Sequence, residues 1–227
     1  MEGSAVSPPP GSRTVAAVLA GGRSSRFGSD KVLARFGGEP LLGRLLRLLR
    51  PLCGELLVVA KETAPYAALA RAHGALLLTD ASERKTPLSG LSAALDHLAS
   101  PAPAVAPHHA LALHHRARAR LFAVAADMPF VADAGLLRAL QAALDADAAA
   151  GAALAFHGGS LQTMAGLWVA PVCAPLARAL LAREKVGPRA LLDQLRVATV
   201  PWPDERGRPF LDADTPEALA RLEEVPS

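Results

Sequence analysis

Short runs of consecutive apolar residues alternate along this chain with longer stretches in which apolar residues recur every three or four positions. Thr14 to Leu19 is an unbroken β-prone run, which predicts a buried strand, and the leucines of Leu41 to Leu49 fall three and four apart, which predicts an amphipathic helix. The alternation then continues with a strand at Leu56 to Ala60, a helix at Pro65 to His73 ended by Gly74, a strand at Ala75 to Thr79 leading to Asp80, and a helix at Ser89 to Leu98. Leu121 to Ala125 predicts another buried strand, ending at Asp127-Met128-Pro129, and Ala134 to Leu144 another helix. Further on, strands are expected at Ala152 to Phe156, Leu167 to Val169 and Ala198 to Trp202, and helices at Pro175 to Arg183 and Pro188 to Leu195. Thr215-Pro216-Glu217 supplies a capping hydroxyl, a first-turn proline and an acidic residue, the start of a closing helix.

Strand, crossover helix and strand in succession define an α/β fold with a mostly parallel sheet flanked by helices. Ligands of such sheets bind outside the carboxyl ends of the strands. At 227 residues, about half of them apolar, one domain suffices to bury the core, and its expected bounds are 14–224. Residues 1–13, rich in Pro, Gly and Ser, read as a disordered leader. Residues 101–120 break the alternation: Ala and Pro give way to His108, His109, His114 and His115 with Arg116, Arg118 and Arg120. With no carboxylate or cysteine beside these histidines, the segment reads as a solvated surface insertion in preference to a metal site.

Charge and cysteine content narrow the partners. A formal charge of +3, with basic and acidic residues interspersed, gives no nucleic-acid footprint and suits a small anionic ligand. No apolar run approaches the length of a membrane span, so no membrane partner is expected. Cys53 and Cys173, far apart and without zinc spacing, fit a reducing, cytoplasmic setting.

The segment from Val18 to Lys31 adds chemistry to this frame. An apolar strand enters a loop carrying Gly21, Gly22, Arg23, Arg26 and Gly28 and closing on Lys31. Adjacent glycines let backbone N–H groups approach an anion with no Cβ in the way, and the basic side chains complete a phosphate cradle. Two other phosphate loops are excluded: five residues separate Gly22 from Gly28, Lys31 is followed by Val32 in place of Ser or Thr, and no G-x-G-x-x-G occurs. An ordinary glycine turn with solvated charges is the competing reading of this segment alone.

Two acidic clusters bear on the same crevice. Asp127 stands at the end of an apolar strand with proline two residues on, a placement that suits a Mg²⁺ ligand and equally a turn aspartate bonding its own backbone. Asp212 and Asp214 alternate before the closing helix, so both lie on one side of an extended segment, where one serves as a cap or either meets a cation. No convincing nucleophilic triad appears in the chain.

Taken in order, Leu19-Ala20-Gly21-Gly22, Arg26-Phe27-Gly28, Asp30-Lys31, Gly38-Glu39-Pro40-Leu41, Pro87-Leu88-Ser89-Gly90, Asp127-Met128-Pro129 and Thr215-Pro216-Glu217 make a pattern. From Val15 to about Leu222 the chain resembles the molybdenum cofactor guanylyltransferases, within the wider nucleotidyltransferases. The resemblance implies a single Rossmann-like nucleotidyltransferase domain that transfers GMP from GTP to the terminal phosphate of molybdopterin and releases pyrophosphate. It implies nucleotide contacts from Leu19, Ala20, Gly21, Gly22, Lys31, Asp80 and Asp127, that of Asp80 being to a guanine edge or the ribose, with Arg26, Lys31 and Asp127 catalytic. Mg²⁺ would sit on Asp127, with either Asp212 or Asp214 as a further candidate by spacing, and Gln162, Thr163 and Arg189 would lie toward the pterin or serve equally as core polar and surface-charge residues. GTP and molybdopterin are the implied partners, with cofactor-delivery proteins as transient ones.

The chain departs from the family in places. Thr86-Pro87-Leu88 replaces Gly-Pro-Leu, the loop before Asp30 is one residue shorter, Val58-Val59-Ala60-Lys61 lacks an expected asparagine, and Asp212 and Asp214 stand where asparagines are usual. The last form also occurs in related cytidylyltransferases. A molybdopterin cytidylyltransferase, another small-molecule nucleotidyltransferase such as one for sugar phosphates, and a non-catalytic pterin carrier are the competing functions.

Overall fold

The computed structural model describes residues 14–20, 30–84, 86–100, 119–183 and 187–225. Its main sheet is built from β1 (Thr14–Leu19), β4 (Glu55–Ala60), β5 (Leu76–Thr79), β6 (Arg120–Ala125), β7 (Ala152–His157), β9 (Ala165–Val169) and β10 (Val197–Pro201), in the order β10-β7-β9-β6-β1-β4-β5. A short β8 (Ser160–Leu161) hairpins onto β7, and β2 (Arg35–Phe36) and β3 (Glu39–Pro40) form a separate two-residue ribbon. β1 runs parallel to both its neighbours, β4 and β6, whereas β9 is antiparallel to β6 and to β7. The sheet is therefore mostly parallel, as the alternation predicts.

Every second residue of β1 faces the opposite layer. Ala16, Val18 and Ala20 pack beneath the helices Leu41–Leu49 and Ala134–Ala146, while Val15, Ala17 and Leu19 meet Pro87–Ala99 and Ala170–Leu181 on the other face. A strand covered on both sides has no polar face, which is why β1 reads as a continuous apolar run. Leu41, Leu42, Leu45, Leu46 and Leu49 are fully buried, and each contributes about 2 kcal/mol by leaving water.

Several expectations shift at their edges. The helix predicted from Pro175 begins at Ala170, with a proline in its first turn and Pro175 inside it. The N–H groups of a first turn lack helical partners in any case, so the early proline starts the helix, and Pro175 removes one later hydrogen bond without ending it. The stretch predicted as a helix from Pro65 opens with a 3-10 turn at Ala64–Tyr66 and is helical only over Ala67–Ala72. The helix predicted over Pro188 to Leu195 is a single turn, Arg189–Leu192. Arg120, grouped with the insertion by its basic neighbours, is the buried first residue of β6, where its Nη2 donates to Asp145 Oδ1 at 2.6 Å. The ribbon β2–β3 turns on Gly37 and Gly38, both at positive φ, a two-glycine hairpin signal that the helix-strand alternation does not capture.

The leader 1–13, most of the insertion (101–118), and Gly21, Gly22 and Arg26 of the glycine loop lie outside the described residues. No helix among the described residues is long and apolar enough to cross a membrane.

Candidate active site

In the parallel core of the sheet, β1, β4, β5 and β6 all end on one edge, and that edge opens into a cavity of about 780 Å³. After β1 the chain continues to β4 and β5 on one side and only later returns to β6 on the other. The cavity therefore sits where strand order reverses, the position at which open α/β sheets take their ligands. Leu19, Ala20, Lys31, Asp80, Asp127, Asp212 and Asp214 all line it, although they come from segments far apart in sequence.

Lys31 is the centre of the charged end. It opens a 3-10 turn, Lys31–Leu33, that Asp30 caps by accepting the N–H of Val32 at 3.1 Å. Its ammonium donates to Asp127 Oδ2 at 2.8 Å and to Asp214 Oδ1 at 3.0 Å, with the lysine side chain 10 % exposed and the two aspartates 31 % and 70 % exposed. Asp127 is thus the stronger partner, because water screens the outer one. Burial by itself would lower the Lys31 pKa, but the hydrogen bonds to Asp127 and Asp214 outweigh it and hold the ammonium above the ordinary lysine range. It is fully charged at neutral pH.

The carboxylates are brought together by backbone pairing as well as by charge. Ala213 N–H donates to the carbonyl of Asp127 at 3.0 Å, so the segment 212–214 is pinned beside the turn that follows β6, and Thr215 then caps the helix Pro216–Glu223. Capping falls to Thr215, which leaves both aspartates outside that role. Burial, then the charges of Asp127 and Asp214, push the Asp212 carboxyl above the usual range, with Lys31 opposing. Three carboxylates around one ammonium remain net negative.

Such a cluster fits a hard cation by its donor chemistry, since all its donors are carboxylate oxygens. Among the described residues, however, no group of three or more His, Cys, Asp or Glu side chains is close enough to hold a metal ion unaided. Mg²⁺ is met by one or two protein carboxylates plus phosphate oxygens and water, so a partial shell of this kind is compatible with it. The cysteines offer no alternative chemistry: Cys53 and Cys173 are buried, and burial pushes both thiols up to about 12.

A second layer fixes the lysine. The Tyr66 hydroxyl donates to Asp30 Oδ2 at 2.7 Å while Asp30 Oδ1 caps the Lys31 turn, so a tyrosine 36 residues beyond Asp30 steadies the lysine through the cap. Tyr66 is buried, and burial followed by the Asp30 contact raises its phenol pKa and keeps it protonated as a donor. Nothing local marks this residue, and only the position of the turn after β4 brings it to Asp30. Tyr66→Phe is expected to cost about 1 kcal/mol of stability, read as a lower melting temperature, and to raise the KM for the triphosphate several-fold. Wild-type KM in a destabilised variant would detach Tyr66 from the site.

At the other end, Asp80 follows β5 and is buried. Its Oδ2 accepts Lys61 Nζ at 3.1 Å and Ser89 Oγ at 2.5 Å, and its Oδ1 accepts the Ser82 N–H at 3.0 Å. The segment Pro87-Leu88-Ser89-Gly90 is the first turn of the helix Pro87–Ala99, capped by Thr86. Lys61, recognised in the sequence only as the place of a missing asparagine, lines the cavity beside Asp80. Met164 also reaches the cavity, because its carbonyl pairs with the N–H of Ala125 at 3.0 Å where β9 meets the end of β6.

The residues expected toward the pterin lie apart from this cavity. The Gln162 amide donates to His157 O at 3.1 Å and to Ser160 Oγ at 3.3 Å, holding the β7–β8 hairpin. Thr163 is half-buried beside Met164, and Arg189 is exposed on its single helical turn; none of the three is a lining residue.

Fold and site together define a doubly wound α/β protein with a cavity at the carboxyl ends of its central strands, lined at its charged end by Lys31 and aspartate carboxylates. The chain belongs to the MobA-like NTP transferase domain family, whose profile matches residues 16–200. It is 31 % identical over 211 residues to the molybdenum cofactor guanylyltransferase of Bradyrhizobium sp. (strain ORS 278), covering 92 % of this chain and 91 % of that one. It is 32 % identical to that of Rhodopseudomonas palustris (strain BisB5), covering 93 % of each. Among solved structures it is similar to molybdopterin-guanine dinucleotide biosynthesis protein A from Archaeoglobus fulgidus, with a TM-score of 0.72 at 21 % identity over 93 % of this chain and 97 % of that one. The 4-diphosphocytidyl-2C-methyl-D-erythritol synthase of Anaerococcus prevotii shares the fold with a TM-score of 0.64 at 13 % identity, over 94 % and 98 % of the two chains. The fold alone therefore does not select the base.

Proposed function

We propose that the chain is a molybdenum cofactor guanylyltransferase, transferring GMP from GTP to the terminal phosphate of molybdopterin with release of pyrophosphate. The observation that carries this reading is the buried Lys31 ammonium held between Asp127 and Asp214 at the carboxyl ends of β1 and β6. The relatives' names supply the substrates. Residues 14–224 act as one catalytic domain in the cytoplasm, served by transient proteins that deliver the pterin.

The reaction is an in-line displacement: a pterin phosphate oxygen forms a bond to the α-phosphorus of GTP as the bond to the α–β bridging oxygen breaks, and the electron pair leaves with pyrophosphate. The attacking oxygen is already ionised near neutral pH, so no serine, cysteine or histidine base is needed. Protein work then lies in positioning and in offsetting charge on the phosphate oxygens. Lys31 supplies a fixed positive charge, steadied by Asp30 and Tyr66. Leu19 and Ala20, where β1 ends, support the nucleotide, and Gly21, Gly22 and Arg26 are assigned to the phosphate cradle on their sequence pattern. Asp127, with Asp212 or Asp214, would hold Mg²⁺, which supplies further charge stabilisation when bound. Gln162, Thr163 and Arg189 remain candidates for the pterin side.

Incubation with molybdopterin, Mg²⁺ and each nucleoside triphosphate in turn is expected to release pyrophosphate chiefly with GTP. Preference for CTP would make the protein a cytidylyltransferase, and turnover with sugar phosphates in place of molybdopterin would move it to that branch. Tight GTP or pterin binding with no pyrophosphate would make it a carrier.

A further inference from the structure

β4 and β5 finish side by side at the end of the cavity away from Lys31, and the residues that follow them are Lys61 and Asp80. The Asp80 side chain is only 5 % exposed, and both of its oxygens are engaged by Lys61, Ser89 and Ser82. Lys61 is placed differently. An ammonium has three N–H donors; Asp80 and the Ser82 carbonyl, at 2.5 Å, take two, and no described residue accepts the third. The lysine side chain is 30 % exposed and lines the cavity, next to an apolar slot made by Leu19, Val59, Pro87 and Gly90.

We infer that Lys61, pinned by Asp80, is the donor that selects the base of the bound triphosphate by giving its third N–H to the O6 acceptor of guanine. This rests on the guanylyl-transfer reading. Guanine presents two acceptors on that edge, whereas adenine puts an amine beside N7 and cytosine puts an amine at the corresponding position. An ammonium fixed there meets an acceptor in guanine and a donor in the other two, and a desolvated N–H left unpaired is what rejects the wrong base. Asp80 acts through Lys61 and is a positioning residue, itself restrained by Ser89 and Ser82. The reach is right as well: Lys61 follows β4, which lies two strands from β6, about 10 Å at the usual spacing between strands. A triphosphate whose phosphates lie at Lys31 and Asp127 therefore extends its base toward Lys61.

The test compares GTP, ATP, CTP and 2-aminopurine riboside triphosphate, which keeps the guanine N7 and 2-amino group but lacks O6. kcat/KM is measured by pyrophosphate release with molybdopterin and Mg²⁺ on wild type, Lys61→Met, Lys61→Arg and Asp80→Asn. Wild type is expected to favour GTP over the 2-aminopurine analogue by about tenfold to a hundredfold, the range for one well-made base contact. Lys61→Met should shrink that ratio to within about threefold, and Lys61→Arg should restore part of it, because a guanidinium also donates to this edge. Asp80→Asn should lower the ratio less, by raising the KM for GTP more than it changes kcat. An equal loss with all four triphosphates in Lys61→Met, or an intact GTP preference, overturns the assignment. If Lys61→Met does not fold, the Lys61→Arg and Asp80→Asn variants carry the same comparison. A wild type that prefers another triphosphate overturns the guanylyl reading itself, and shows this without any variant.

Discussion

Lys31→Met is expected to lower kcat/KM for GTP by about a thousandfold, the scale for removing one pre-organised positive group from a charged transition state. The methionine keeps most of the side-chain volume, so packing around the turn Lys31–Leu33 should survive. What disappears is the ammonium held at 2.8 Å from Asp127 and 3.0 Å from Asp214. The remaining carboxylates then repel one another and the incoming phosphates. Arginine should not restore the rate, because its flat fork does not place a point charge between two carboxylates already set for an ammonium. Pyrophosphate release under saturating molybdopterin checks both variants. A Lys31→Met protein within about tenfold of wild type would reduce the lysine to a structural ion pair.

Asp127→Asn should reduce turnover on a similar scale, and its signature is a changed dependence on divalent cation. The amide keeps the shape of the turn after β6 and loses one negative charge, so the backbone bond from Ala213 to the Asp127 carbonyl should persist and the fold with it. A hard cation prefers carboxylate oxygen, and the variant is expected to need far more Mg²⁺ for its residual activity. Titrating Mg²⁺ at fixed GTP separates this from a simple loss of folding. Combining Asp127→Asn with Lys31→Met should cost little beyond either change alone, since groups that act as a unit are strongly non-additive. Unchanged turnover and Mg²⁺ dependence in Asp127→Asn would remove this residue from the mechanism.

The parts of the molecule legible in the sequence are those whose signal is local. β1 announces itself by an unbroken apolar run because both of its faces are covered, and Asp127 stands out because a carboxylate ends such a run. Thr215-Pro216 marks the closing helix through capping chemistry contained in two residues. What is not legible depends on pairing between distant segments. Tyr66 reaches Asp30 only because the 3-10 turn after β4 lies beside the turn Lys31–Leu33 that Asp30 caps, and no spacing in the sequence encodes that. Lys61 looks like the loss of an expected asparagine until the register of β4 and β5 sets it against Asp80. The Ala170–Leu181 helix starts ahead of its sequence signal, because Pro175 mimics a first-turn proline while lying inside the helix.

The joining of Asp127 to Ala213 ties the closing helix to the charged end of the cavity. The strands β1, β4, β5 and β6 all precede residue 126, yet the second carboxylate that holds Lys31 is that of Asp214, 183 residues away in sequence. Anything that loosens the helix Pro216–Glu223 or its Thr215 cap therefore acts at a distance on Lys31, by letting the 212–214 segment swing away from the turn after β6.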